Sequence, residues 1–306
     1  MSLVIIGTVA FDAIETPFGK TDKIVGGAAT YASLAASYFC NNVKIVAVVG
    51  DDFHKEDIQN FKDHGIDTEG LQIKEGEKSF FWSGKYHNDM NSRDTLITDL
   101  NVLADFDPVI PESYQDCEFL MLGNLTPQVQ QTVINRIKKR PKLVVLDTMN
   151  FWMDIALDDL LSVIKNVDVL TINDEEARQL SGEYSLVKAS KKILAMGPQY
   201  LIIKKGEHGA LLFHKDEIFS APALPLAEVF DPTGAGDTFA GGFIGYLAQV
   251  ESVNFTNMKN AIIFGSALAS FCVEKFGTER IKNLTQEEIA ARVQEFVKLS
   301  SFVIAK

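Results

Sequence analysis

Cysteine is scarce in this 306-residue chain: only Cys40, Cys117 and Cys272 occur. They are far apart, odd in number and form no Cys-x-x-Cys. That excludes a disulfide framework and a cysteine zinc site, and it fits a reducing compartment. Positive charge is also short, with 29 Lys and Arg against 41 Asp and Glu and a net charge of −12. A nonspecific grip on nucleic acid or an anionic membrane is therefore not expected, although a small basic site for phosphate is still allowed. Long apolar runs are missing. The longest weakly polar stretches, Phe239 to Val250 and Ala261 to Val273, fall short of the ~20 residues a membrane span requires. The opening Met1-Ser2-Leu3-Val4-Ile5-Ile6-Gly7 is too short an apolar run for a secretion signal and has no basic flank. A cytoplasmic protein is the expectation, and the Asn-x-Ser/Thr triplets at Asn124, Asn254 and Asn283 then carry no glycosylation signal. The five histidines (His54, His64, His87, His208, His214) show no metal-ligand spacing, and the chain has no repeat or low-complexity tract.

What is present is a globular composition, 46% hydrophobic and 23% charged, in a chain long enough to bury roughly 75% of its unfolded surface. Short β-rich runs alternate with helical patterns. Leu3–Ile6, Val43–Val49, Phe119–Leu122, Leu143–Leu146, Val167–Ile172 and Tyr200–Ile203 read as buried strands; Thr126–Lys139 and Asp174–Leu180 read as helices. Such alternation predicts a mostly parallel central sheet with helices on both faces. Two polar, glycine-containing stretches break the rhythm, at about 12–24 and 71–103. They read as antiparallel strands leaving the main sheet, a small β lid on a single domain covering 1–306. Each buried run stops at polar or glycine residues: Gly7 with Asp12 nearby, Gly50-Asp51-Asp52, Gly123-Asn124, Asp147, Asn173, and Lys204-Lys205-Gly206. In open α/β sheets the ligand sits outside these carboxyl ends, which locates the active face.

The segment that carries chemistry is Asp231-Pro232-Thr233-Gly234-Ala235-Gly236-Asp237, followed by a helix whose Gly241, Gly242 and Gly245 suit close packing on the sheet. Gly234, Ala235 and Gly236 let an anion approach their backbone N–H groups at a helix N-terminus, where the dipole favours negative charge. A developing phosphoryl charge is what such a site would stabilise. Asp237 puts a carboxylate beside it, which makes sense where a substrate hydroxyl must give up a proton. The plainer alternative is a helix-capping Asp on a tight turn. Two other phosphate motifs fail: Ile14 stands where a Walker A loop ending in Gly19-Lys20-Thr21 needs its first glycine, and Phe239 occupies the third glycine position of a dinucleotide fingerprint.

Asp-x-Thr-Gly-Ala-Gly-Asp resembles the C-terminal signature of the ribokinase (PfkB-type) carbohydrate kinases. Gly26-Gly27 opening a helix, Asn173-Asp174-Glu175-Glu176 matching Asn-x-x-Glu, and Lys205-Gly206-Glu207-His208-Gly209 resembling the nucleotide loop extend the likeness along the chain. The resemblance implies a ribokinase-like three-layer α/β fold and an ATP- and Mg²⁺-dependent phosphotransferase. It makes Asp237 the catalytic base and Gly234, Ala235 and Gly236 the anion hole. It places Asn173 and Glu176 near the phosphates, with Glu176 on Mg²⁺ through water. Lys204, Lys205, Gly206, Gly209 and Ser266 align with nucleotide contacts, and Ser266 stands where many members have Asn. Asp231 and Thr233, with the region of Gly277, align with a monovalent-cation site, so K⁺ joins the expected cofactors.

On the sugar side Asp12 keeps the place of a hydroxyl-binding aspartate, alongside Gly26, Gly27, Tyr31 and Asn124. Here the chain departs from ribokinase: Ala10 replaces an Asn, Tyr31 stands where Asn is usual, and Asn124 replaces a carboxylate. Phe11, Tyr31, Phe81, Trp82, Phe151 and Trp152 are candidates for a pocket that takes a flat base. Lys20, Lys23, Lys85 and Arg93 are candidates for a clamp on a phosphorylated sugar. The expected activity is γ-phosphoryl transfer from ATP to a hydroxyl of a sugar or sugar-like molecule. A nucleoside kinase is the alternative, and a non-catalytic sugar or nucleotide sensor the rival from another class. Relatives often pair through the lid, so a homodimer is expected.

Overall fold

The computed structural model describes residues 1–304. The chain enters through β1 (Leu3–Ile6) and leaves for β2 (Ala10–Thr16), β3 (Gly19–Lys20) and β4 (Ile24–Gly26). It returns by α1 (Ala28–Ser37) to β5 (Val43–Gly50), then α2 (Lys55–Asp63) and β6 (Ile66–Lys74). A second excursion makes β7 (Phe81–Tyr86) and β8 (Arg93–Asp99). Regular alternation follows: β9 (Phe119–Leu122), α3 (Pro127–Arg136), β10 (Leu143–Asp147), α4 (Asn150–Ile155), α5 (Leu157–Ile164), β11 (Val169–Asn173), α6 (Asp174–Ser181), α7 (Leu186–Leu194) and β12 (Tyr200–Lys204). The hairpin β13 (Ala210–His214) and β14 (Glu217–Ala221) precedes α8 (Ala235–Val250), α9 (Phe255–Cys272) and α10 (Gln286–Ser300).

The central sheet runs β6-β5-β1-β9-β10-β11-β12-β13-β14. Its strands are parallel from β6 to β12, and the last two are antiparallel. The period-2 alternation of a strand explains the three layers. In β1, Leu3 and Ile5 join one core with residues of α1, α8 and α9, whereas Val4 and Ile6 join the other with residues of α3, α5 and α7. All four are fully buried, as expected for a parallel strand covered on both faces.

The small sheet is β3-β2-β7-β8, with β4 on β2. Its second contributing stretch is narrower than 71–103. Residues 71–74 continue β6, paired parallel to β5, because Leu71 packs against the central core. At the other end Val102 is buried in the core on the opposite face of the central sheet. The glycine face of α8 also packs differently from the expectation. Gly241 and Gly245 meet the backbone of α1 at Ala32 and Ala36, and Gly242 meets Gly265 of α9, so these glycines bring helices together rather than seat α8 on the sheet. No helix among the described residues is long and apolar enough to cross a membrane.

Candidate active site

Parallel β9 to β12 deliver their carboxyl ends to one edge of the sheet, and α8 begins there. Gly234 caps α8 at φ 73°, ψ 0°, a left-handed conformation that favours glycine. A Cβ at this position would also overlap the ring of Tyr31. No side chain caps the helix. The Ala235 N–H turns back to the Pro232 carbonyl at 3.2 Å, while the Gly236 N–H has no partner among the described residues. Beside it stands Lys204. Its Nζ lies 3.2 Å from where a Gly236 Cβ would be and 2.8 Å from Asp147 Oδ1, and that oxygen also accepts from Thr171 Oγ1 at 2.7 Å. Burial lowers the Lys204 pKa, but the charges of Asp147 and Glu176 outweigh it and raise it above its ordinary value. An ammonium next to an open helix N-terminus is a site for a polyanion.

Asp237 occupies the first turn of α8. Burial, reinforced by the Asp147 charge and opposed by Lys204 and Arg93, pushes its carboxyl up to about 7. A carboxyl poised there takes and gives a proton near neutral pH. Glu176 is buried as well. Desolvation lifts it to about 7 against the pull of Lys204. Asn173 and Glu176 close a capping box on α6: Asn173 Oδ1 accepts from the Glu176 N–H at 2.8 Å, and Glu176 Oε2 accepts from the Asn173 N–H at 2.7 Å. Glu176 Oε1 has no partner among the described residues, so one oxygen remains for a hydrated hard cation.

A cavity of about 420 Å³ opens from this centre. Lys204, Ala235 and Gly236 line it, together with Gly206, Gly209 and Ser266 of α9. Leu224, Pro225, Leu226, Val229, Phe239 and Val273 give it apolar walls. Lys205 is not in the lining; its N–H donates to the Gly209 carbonyl at 2.8 Å and shapes the loop. Asp89, Met90 and Asn91, at the tip of the β7–β8 hairpin, close over the same cavity.

Asp12 of β2 is buried within reach of the Asp231 and Asp237 charges. Burial pushes its carboxyl up to about 8, the charges of Asp231 and Asp237 add to this, and the Gly27 N–H opposes it. A Cβ on Gly26 would overlap Asp12 Oδ2, so the glycine pair makes room for the carboxylate. Tyr31, expected on the acceptor side, lies in the floor beneath the anion loop. It is 1% exposed, its ring is flat under Gly234, and its hydroxyl is buried without a partner. Asn124 is committed too, accepting from Trp152 Nε1 at 2.8 Å. Asp231 is fully buried, and its two oxygens accept from the N–H groups of Thr233 (2.9 Å) and Gly277 (2.8 Å). Thr233 Oγ1 reaches Tyr86 Oη of the lid at 3.2 Å.

Asp147, the hairpin tip and the apolar segment 223–229 are not singled out as site residues by the sequence, which offers Arg93 only as one of four lid cations. Asp147 had a signal, as the carboxylate ending a fully buried strand. The apolar segment had none, because it has no periodicity to read.

The chain matches the pfkB family of carbohydrate kinases over residues 2–285. It belongs to that family. It is 32% identical over 249 residues to the cytidine kinase of Thermococcus kodakarensis, covering 80% of this chain and 87% of that protein. It is 26% identical over 290 residues to the ribokinase of Lactococcus lactis, covering 90% and 91%. The structure of a putative ribokinase II from E. coli in complex with ATP and Mg²⁺ superposes with a TM-score of 0.79 at 19% identity, covering 96% of this chain and 99% of that one. The ribokinase-like fold and the kinase class expected from the Asp-x-Thr-Gly-Ala-Gly-Asp segment both hold: this pfkB member is a phosphotransferase acting on hydroxyl groups.

Proposed function

We propose that this pfkB member transfers the γ-phosphoryl group of ATP to a hydroxyl of an unphosphorylated ribose-type acceptor, a nucleoside foremost. The observation that carries the chemistry is the Asp237 carboxyl, raised to about 7, at the uncapped start of α8 beside Lys204. ATP would lie in the cavity with its base against the apolar walls and its phosphates toward Gly236 and Lys204. Asn173, Lys204, Gly206, Gly209 and Ser266 are its proposed contacts. Asp12, freed by Gly26 and Gly27, would hold acceptor hydroxyls. Asp237 takes the proton of the attacking hydroxyl, and the helix N-terminus with Lys204 stabilises charge on the transferring group. Glu176, with its free oxygen, would hold Mg²⁺ through water, and the ion supplies charge neutralisation of the phosphates. Because both Asp231 oxygens are bound to N–H groups, a K⁺ here would draw on backbone carbonyls of the loop. Turnover in K⁺ against Na⁺ tests that.

The lid charges favour an acceptor without a phosphate of its own. Lys20 and Lys85 both face Glu15, at 3.8 and 2.6 Å, and Lys23 faces Asp52 at 3.0 Å. These lysines are spoken for, which leaves no lysine clamp for a sugar phosphate. The higher identity to a cytidine kinase than to a ribokinase points the same way. ADP release measured over nucleosides, free sugars and sugar phosphates tests the reading. The highest kcat/KM is expected with a nucleoside. Preference for a sugar phosphate overturns the acceptor class, and no turnover with any of them leaves the sensor.

A homodimer through the small sheet is part of the same reading. Every residue of β8 is exposed, with the adjacent Leu96 at 56% and Ile97 at 45%, and an open sheet edge leaves its backbone groups ready to pair. Light scattering at micromolar concentration should give twice the chain mass, and a monomeric mass overturns it.

A further inference from the structure

From His87 to Asp99 every residue is exposed except Met90, which is half-buried. Met90 sits at the tip of the β7–β8 hairpin and lines the cavity between Asp89 and Asn91. Its φ is 55°, a left-handed conformation that residues with a side chain rarely adopt. The turn is built to hold it there. Asp89 Oδ1 accepts from the Asn91 N–H at 3.0 Å, the Ser92 N–H at 2.9 Å and Ser92 Oγ at 2.8 Å. The Met90 N–H donates to the His87 carbonyl at 3.0 Å. Such strain persists only where the surrounding contacts fix it, and here it turns an apolar side chain into the cavity instead of leaving a flexible polar tip.

The tip is seated on the nucleotide loop. Asn91 Oδ1 lies 2.9 Å from where a Gly206 Cβ would be, and Asn91 Nδ2 stands 3.5 Å from Glu207 Oε1. At the other end of the turn the Tyr86 hydroxyl meets Thr233 Oγ1 of the anion loop at 3.2 Å. Charge decides which half of a nucleotide the tip can face. Asp89 and Glu207 both line the cavity beside Met90 and Asn91, and two carboxylates would repel a phosphate. Lys204 and the Gly236 N–H draw the phosphates to their own part of the lining instead. The tip is thereby left to the uncharged nucleoside half, and a thioether packs favourably against an aromatic ring.

We propose that Met90 is a nucleotide-binding residue supplied by the hairpin: its side chain covers the nucleoside half of ATP, while Asn91 holds the tip against Gly206 and Glu207. This rests on the kinase reading above. Met90 acts by contact alone and takes no part in bond making. The same small sheet carries the acceptor side, because β7 pairs with β2 and sets Trp82 opposite Asp12. A nucleotide under Met90 therefore favours the seated position of the element that also bears Asp12. By linkage, the acceptor and the nucleotide tighten each other's binding by one common factor.

The test uses the full chain. Met90→Gly removes the side chain and accepts the left-handed backbone without strain, so the variant should melt no lower than wild type. Calorimetry should show ATP affinity reduced by at least about five-fold, in keeping with one apolar side chain lifted from the ligand. Inorganic tripolyphosphate, which has no nucleoside, should inhibit both proteins equally. At saturating ATP the kcat should stay within about two-fold, since the contact is the same in ground and transition states. Met90→Leu keeps an apolar side chain of similar volume and should stay within about three-fold of wild type. Asn88→Ala, at an exposed residue of the same turn outside the cavity lining, should change nothing. A smaller loss of ATP affinity in Met90→Gly, or an equal loss for tripolyphosphate, overturns the proposal. If wild type does not bind ATP, the kinase reading fails before Met90 is at issue, so the two failures are distinct.

Discussion

Lys204 Nζ and Asp147 Oδ1 meet at 2.8 Å across the ends of β12 and β10, with β11 lying between those strands in the sheet. Both side chains are mostly buried, at 19% and 7% exposure, so the ammonium is held beside Gly236 before any anion arrives. Such preorganisation spares the site the cost of ordering a flexible lysine.

Removing one partner should be far worse than removing both. Lys204→Met leaves a buried carboxylate without its cation and should cost about 3–5 kcal/mol, besides raising the KM for ATP. Adding Asp147→Leu should restore much of the stability but none of the activity. Chemical denaturation with steady-state kinetics on both variants checks this, and a double variant no more stable than the single one would refute the pairing argument.

That pair also marks where sequence reading ran out. Strand ends are visible as polar residues after apolar runs, which is how Lys204, Asn173 and Asp147 were each noticed. Which of them touch depends on strand order, because β12 and β10 become neighbours of a common strand only through the right-handed crossovers between them. The anion loop was legible because its spacing is local to one turn and one helix. Tyr31 shows the opposite case: an aromatic at a signature position can fill a pocket or support its floor, and the sequence does not show that its ring packs against Gly234.

Asp12 should give up stability for function. Its folded-state carboxyl is raised to about 8 from an ordinary value of 3.8. Between those pH values the folded protein holds a proton that the unfolded chain has released, so this group's contribution to stability declines as pH rises through the window. Asp12→Asn removes the titration. Relative to wild type the variant should gain Tm at pH 8 and show little difference near pH 4, while its acceptor KM rises at least about ten-fold because one of the two oxygens facing the acceptor hydroxyls is replaced by an amide nitrogen. Thermal melts at the two pH values decide it, and an equal Tm difference at both would contradict the burial argument.

Gly234 and Gly65 separate backbone strain from ring contact. Both have left-handed φ, 73° and 70°, but a Cβ at Gly65 meets open space whereas one at Gly234 runs into Tyr31. Gly65→Ala should cost about 1 kcal/mol with unchanged kcat. Gly234→Ala carries the same strain and must also displace a buried ring, so it should cost more and lower kcat by about 10²-fold through the distorted anion site. Equal stability losses in the two variants would show that the ring yields freely.

Asp237 sets the acid side of the pH profile. As a general base it works only when ionised, so with its carboxyl raised to about 7 the kcat/KM should climb about ten-fold per pH unit below that value and level off above it. Asp237→Asn keeps the shape and removes the acceptor. It should lower kcat by at least about 10²-fold and leave a profile without that limb, while ATP affinity stays within a few-fold because the Gly236 N–H and Lys204 are untouched. Glu176 titrates in the same range, which makes Glu176→Gln the needed control: if Asp237 is the base, this variant loses phosphate and Mg²⁺ affinity but keeps the acid limb. An Asn capping the first turn of α8 is as good as an Asp, so a purely structural Asp237 predicts near-normal turnover in the folded variant. Calorimetric ATP binding alongside steady-state rates from pH 5 to 9 separates the two roles.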